Sequence, residues 1–177
     1  MLEEIRTLSL GIFLTVLAPI GQGAETKTSL PSVPVAGAAA LTLKDLQDRP
    51  VRPFQGSNAP ALVFLFVRTD CPISNRYAPE IRRLAAKYGK QGPSFWLVYP
   101  DGTESIQEIR KHLVDFQLPI AALRDPKHVL AKLAGVRVTP EAAVFLTDGT
   151  QVYRGRIDDR FVDFGKQRPE ATQHDLE

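Results

Sequence analysis

Residues 61–81 read ALVFLFVRTDCPISNRYAPEI, and the change of pattern within them decides the fold. Residues 61–67 are a continuous apolar run of seven, preceded by Pro60 and closed by polar Arg68, Thr69 and Asp70. Such a run is the mark of a strand buried on both faces, as at the centre of a parallel sheet. From residue 74 to residue 90 the apolar side chains Tyr77, Ile81, Leu84, Ala85 and Tyr88 recur at spacings of three and four, which predicts an amphipathic helix. Cys71, the only cysteine in the chain, stands where the strand hands over to the helix. Pro72 follows it and suits the first helical position, where a missing N–H costs nothing.

The same alternation continues outward. Residues 94–99 (SFWLVY) form a second buried strand, and Ile106, Ile109, Leu113 and Phe116 stripe a helix over 103–116. Residues 119–123 predict a short strand and 127–133 a short helix. Residues 142–146 and 151–157 flank Asp148-Gly149, a strong hairpin signal. Upstream, residues 41–55 read as a hairpin turning at Asp48, Arg49 and Pro50. The element from Pro169 onward reads as the first turns of a helix. Strands alternating with helices require parallel pairing and right-handed crossovers, and the terminal hairpin makes the sheet mixed. The fold class is therefore α/β, with a central mixed β-sheet flanked by helices on both faces.

The chain has 177 residues, 44% hydrophobic and 24% charged, with a net charge of +2, enough for one well-cored domain. No basic run interleaved with aromatics is present, so nucleic acid is not an expected partner. Residues 8–20 (LSLGIFLTVLAPI) are apolar but short for a bilayer span, and small residues Gly21, Gly23 and Ala24 follow. This predicts a signal peptide over 1–24 and export to the periplasm. Glu3 and Glu4 weaken the positive leader, which leaves an uncleaved membrane tether as the rival. Residues 25–40 read as a linker, 41–168 as the domain, and 169–177 as a tail or helix start.

Export and one cysteine fit together only through a reactive or intermolecularly paired thiol. A thiol at a helix start is favoured as thiolate by free N–H groups and the positive helix end. Arg68 and Arg76 add positive charge nearby, and the Ser74 hydroxyl can turn back to donate to the sulfur. The bland alternative is a cysteine serving as a small buried hydrophobe. Its polar neighbours at the junction argue for the functional one.

The runs VFLFVRTDCPISNRYAPEI, VTPEAAVFLTDG (138–149) and VYRGRIDDR (152–160) resemble the redoxin branch of the thioredoxin-like superfamily, the alkyl hydroperoxide reductase and thiol-specific antioxidant group. The likeness spans roughly residues 41–168. It implies an active-site motif at Cys71-Pro72-Ile73-Ser74, a C-x-x-C whose second cysteine is serine. It also implies that Thr139-Pro140 is a cis bond facing the sulfur, and that backbone groups of Val138 and Thr139 bind an incoming peptide or small thiol. Peroxidases of this group carry a threonine or serine three residues before the cysteine and a proline seven before it. Here those places hold Arg68 and Phe64, and Thr69 is a candidate for peroxide contact from two residues before.

No metal, flavin or nucleotide cofactor is implied. His112, His128 and His174 show no ligand spacing with one another or with Cys71. Asp158, Asp159 and Arg160 read as an exposed charged turn, and Phe95 and Trp96 as core. The expected function is that of a thiol-dependent, antioxidant-type oxidoreductase. Its substrate would be a thiol/disulfide protein or a small hydroperoxide, and an external thiol would be its reductant. A non-catalytic binding module that captures partner proteins and a redox-inert domain are the alternatives.

Overall fold

A computed structural model describes residues 34–177, apart from 90, 91 and 164; the proposed signal peptide and most of the linker lie outside them. Seven strands form one mixed sheet: β1 (Leu43–Lys44), β2 (Pro50–Val51), β3 (Ala61–Phe66), β4 (Ser94–Tyr99), β5 (Ala121–Arg124), β6 (Glu141–Leu146) and β7 (Gln151–Gly155). Their spatial order is β2-β1-β5-β4-β3-β6-β7. β3 pairs in parallel with β4, and β4 with β5, whereas β6, β7, β1 and β2 pair antiparallel.

The apolar run at β3 is explained by two cores, one on each face. Val63, Leu65 and Val67 pack with Ile81, Leu84 and Ile109 on one side. Leu62, Phe64 and Phe66 pack with Leu130, Ala131, Phe54 and Phe145 on the other. Helices α2 (Ala78–Tyr88) and α3 (Ile106–Asp115) cover the first face, and α4 (Val129–Ala134) the second.

Several elements differ from the sequence reading. The single helix over 74–90 is two: α1 (Pro72–Arg76) and α2, with Tyr77 between them. Pro79 is the cause, since it lacks an N–H and its ring clashes with the carbonyl four residues back. α3 begins at Ile106 because Ser105 and Glu108 form a reciprocal capping box. Pro34–Ala40, read as linker, is built into the domain. Pro34 bridges Thr150, the Val35 N–H donates to the Gly149 carbonyl at 2.9 Å, and Ala38 is buried.

No helix begins at Pro169. The Thr172 and Gln173 N–H groups, which would open such a helix, donate instead to the Asp159 carboxylate at 2.6 and 2.9 Å. The tail thus straps back over the domain, and the Leu176 N–H reaches the Ile157 carbonyl at 3.2 Å. This also corrects the reading of 158–160 as an exposed turn, because Asp158 and Asp159 are both buried. A small hairpin that the sequence did not reveal, β8 (Phe161–Asp163) with β9 (Lys166–Gln167), stands beside Tyr77, whose ring lies 5.0 Å from that of Phe161.

Candidate active site

Cys71 is the N-cap of α1, in extended conformation with φ −83° and ψ 111°. Its position follows from the chain: β3 ends at Phe66, four residues lead away from the C-terminal end of that strand to Cys71, and Pro72 starts the helix. The thiol is half-buried. The Ser74 backbone N–H donates to Sγ at 3.5 Å, and Sγ lies 3.4 Å from the Thr139 carbonyl oxygen, to which the thiol donates. The Thr139–Pro140 bond is cis. The loop before β6 and the first turn of α1 therefore meet at one sulfur.

The Ser74 side chain does not act as the sequence suggested. It is buried, and its hydroxyl has no partner among the described residues; the backbone N–H makes the contact with sulfur. The Arg68 guanidinium is also committed elsewhere. It is held by Asp70 at 2.9 and 3.0 Å and by Asp101 at 2.7 Å, so two carboxylates offset its charge. Asp70 accordingly faces Arg68. Arg76 donates to Gln167 Oε1 at 3.0 Å on the β8–β9 hairpin.

Thr69 is clamped through its backbone: its N–H donates to Glu104 Oε1 at 2.6 Å and its carbonyl accepts from Asn75 Nδ2 at 3.1 Å. Val138, the residue before Thr139, is 64% exposed, and Glu141 Oε2 accepts the Arg137 N–H at 2.9 Å and the Val138 N–H at 3.4 Å. An apolar side chain is thus offered to solvent on a loop whose backbone is held from behind.

Sequence reasoning missed the buried polar groups under this site. Glu104 is 7% exposed, and its Oε2 has no partner among the described residues; burial pushes its carboxyl pKa up. His112 is buried between Tyr99 and Asn75, and burial holds its pKa down. Only the three-dimensional fold brings these residues under Cys71; Asn75, four residues after the cysteine, was the one local signal. Elsewhere, ligand atoms of Glu80, Asp158 and His174 lie within 4.8 Å of one another. Both Glu80 oxygens, however, hold Arg83, and Asp158 Oδ1 accepts from the Tyr77 hydroxyl and the Arg160 N–H. Both Glu80 oxygens and Asp158 Oδ1 are thus already engaged by protein donors.

The family model for the AhpC/TSA family matches residues 36–154, two-thirds of the chain. This chain belongs to the AhpC/TSA family. No curated protein matches it at a significant level. Among solved structures it is similar to an uncharacterized conserved protein from Geobacillus kaustophilus, at 25% identity and a TM-score of 0.62, over 75% of this chain and 69% of the other. It is also similar to a secreted Mycobacterium tuberculosis disulfide oxidoreductase homologous to E. coli DsbE, at 20% identity and a TM-score of 0.54, over 66% and 83%. MTB dsbF, solved in mixed oxidized and reduced forms, aligns at 17% identity and a TM-score of 0.57, over 72% and 88%. The fold of this redoxin-family chain is thioredoxin-like. Among the described residues no helix is long and apolar enough to cross a membrane.

Proposed function

We propose that this chain is an exported thiol-disulfide oxidoreductase that works through the single sulfur of Cys71. The observation that carries the reading is the meeting of Cys71 Sγ with the α1 N-terminus and the Thr139 carbonyl beside exposed Val138. A disulfide approaching along that loop would be presented to the sulfur. The Cys71 thiolate attacks one sulfur of the substrate, forming a mixed disulfide and expelling the other sulfur as a thiolate, which takes up a proton. With no second cysteine in the chain, an external thiol must attack the mixed disulfide, releasing Cys71 and carrying away the substrate sulfur as a new disulfide. Electrons balance between substrate and external thiol, and the protein is unchanged.

Peroxide reduction, the other activity expected from the family resemblance, has less support. It needs donors arranged around a peroxide at the sulfur, whereas Arg68 is bound by Asp70 and Asp101 and the Thr69 N–H by Glu104. Export rests on the apolar stretch at residues 8–20 and is in keeping with the secreted mycobacterial protein of similar fold. An antioxidant role would follow only from peroxide chemistry.

The test is to incubate the protein with glutathione disulfide or oxidised insulin and analyse Cys71 by mass spectrometry. A mixed disulfide at Cys71 that added thiol resolves is the expected result. Formation of sulfenic acid with hydroperoxide, with no adduct from either disulfide, would replace disulfide exchange with the peroxidase reading.

A further inference from the structure

The buried hydrogen bonds beneath the Cys71 loop run in a single direction. The Thr69 carbonyl can only accept, so the Asn75 atom 3.1 Å away must be the amide nitrogen. That fixes the amide and turns Asn75 Oδ1 toward His112 Nε2 at 2.8 Å. Oδ1 can only accept, so Nε2 carries the ring proton. His112 Nδ1 is then the acceptor for the Tyr99 hydroxyl, also at 2.8 Å. Tyr99 is fully buried and His112 is nearly so, and a charged ring would donate from Nδ1 to the tyrosine oxygen, leaving the buried tyrosine proton without an acceptor among the described residues.

The surroundings favour neutrality. Tyr99 faces the ring from β4, Asn75 from α1, and the Phe116 ring lies 4.8 Å away. Asp115, on the ring's own helix, favours the cation, but burial outweighs it and holds the pKa down. Glu104 bears on Tyr99, and from α2 the Arg82 guanidinium donates to the Phe116 carbonyl at 2.6 Å. Asn75 also grips the loop a second time, because its backbone N–H donates to the Cys71 carbonyl at 3.0 Å.

We infer that Asn75, oriented by His112 in its neutral Nε2–H form and by Tyr99, is a positioning residue for Cys71. The chain from β4 through α3 to α1 fixes the Thr69–Cys71 backbone, so that Sγ meets an incoming sulfur from one defined direction. Nucleophilic displacement at sulfur is sensitive to that alignment, and a misplacement of about 1 Å can cost on the order of a hundredfold in rate. The inference rests on the proposed thiol-disulfide exchange, but its first readout does not.

In the full-length protein labelled with 15N histidine, the ring nitrogens of His112 report the tautomer directly. The expected spectrum is neutral with hydrogen on Nε2, persisting below the ordinary histidine value of about 6.5. Hydrogen on Nδ1, or protonation at the ordinary value, would overturn the inference whether or not Cys71 processes protein disulfides. The second measurement is the rate at which Cys71 attacks Ellman's reagent, read well below the melting temperature. Asn75→Ala should slow it about tenfold or more while keeping the shape of the pH profile. A folded Asn75→Ala protein reacting at the wild-type rate would reduce the chain of bonds to a structural role. If that variant does not fold, the tautomer decides.

Discussion

Cys71 Sγ lies 3.4 Å from the carbonyl oxygen of Thr139, a residue 68 positions further along the chain. The contact joins the two ends of the site, since β3 delivers one residue and the start of β6 the other, and those strands are antiparallel neighbours. The sulfur therefore faces two groups of opposite preference. The Ser74 N–H favours sulfur lone pairs, and the Thr139 carbonyl favours a proton on sulfur.

Cys71→Ser keeps a donor for the Thr139 carbonyl and a small side chain at the N-cap, where serine is a preferred residue. Its stability should stay within about 1 kcal/mol of wild type, while disulfide exchange is lost altogether. Thermal melting and a mixed-disulfide assay check the two halves separately. Residual exchange in the serine variant would remove Cys71 from the reaction.

Gly149 tests the unexpected docking of the chain upstream of β1. It turns the β6–β7 hairpin at φ +91°, and a Cβ there would lie 2.8 Å from the Cβ of buried Ala38. Gly149→Ala combines left-handed strain with an overlap between two backbone-fixed methyl groups. A loss of about 1–3 kcal/mol is expected from chemical denaturation. Ala38→Gly removes the overlap and should recover part of that loss; an equal cost of Gly149→Ala in both backgrounds would mean that residues 34–40 do not pack against this turn in solution.

The layout of the fold was legible because β3 is buried on both sides and α2 on one, so their sequences carry unmixed periods. The Cys71 junction was legible for the same reason, since local order placed it at a strand end, whereas the Thr139–Pro140 position was legible only through the family resemblance. What escaped depends on contacts far apart in sequence. Asp159 looks like a surface charge until Thr172 and Gln173 fold back on it, and Glu104 falls in the first turn of a predicted helix until the Thr69 N–H meets it. Charged residues satisfied by distant backbone groups leave no periodic trace.

Asp159 accepts from the Thr172 N–H and hydroxyl and from the Gln173 N–H, with Arg168 3.3 Å away, and these donors hold its carboxyl well below the usual carboxylate range. A depressed carboxylate stabilises the fold above its unfolded value of 3.8, and the contribution is lost as pH falls through the folded value. The C-terminal strap should therefore persist into mild acid. Hydrogen exchange at Thr172 and Gln173 should be protected at neutral pH and at about pH 4 alike, and about tenfold faster in Asp159→Ala. Equal exchange in variant and wild type would mean that other contacts hold the tail.

Glu104 behaves in the opposite sense. Its carboxyl pKa is raised above 4.5, chiefly by burial, with the Thr69 bonds pulling the other way. A raised carboxyl favours the fold in its neutral form. That contribution is complete below about 4.5 and is lost as pH rises through the folded value. On this account the wild type should lose stability as pH rises above about 4.5 and through the folded value, in addition to whatever other groups contribute. Glu104→Gln keeps an acceptor for the Thr69 N–H and cannot ionise, so the difference in urea midpoint between variant and wild type should grow with pH in the variant's favour. A constant difference would show that Glu104 does not titrate above its ordinary range in the folded protein. Glu104→Ala removes the acceptor and leaves the Thr69 N–H unpaired, at a cost of about 1–3 kcal/mol. Because Thr69 lies two residues before the nucleophile, that variant should also slow the reaction of Cys71 with Ellman's reagent, whereas Glu104→Gln should not.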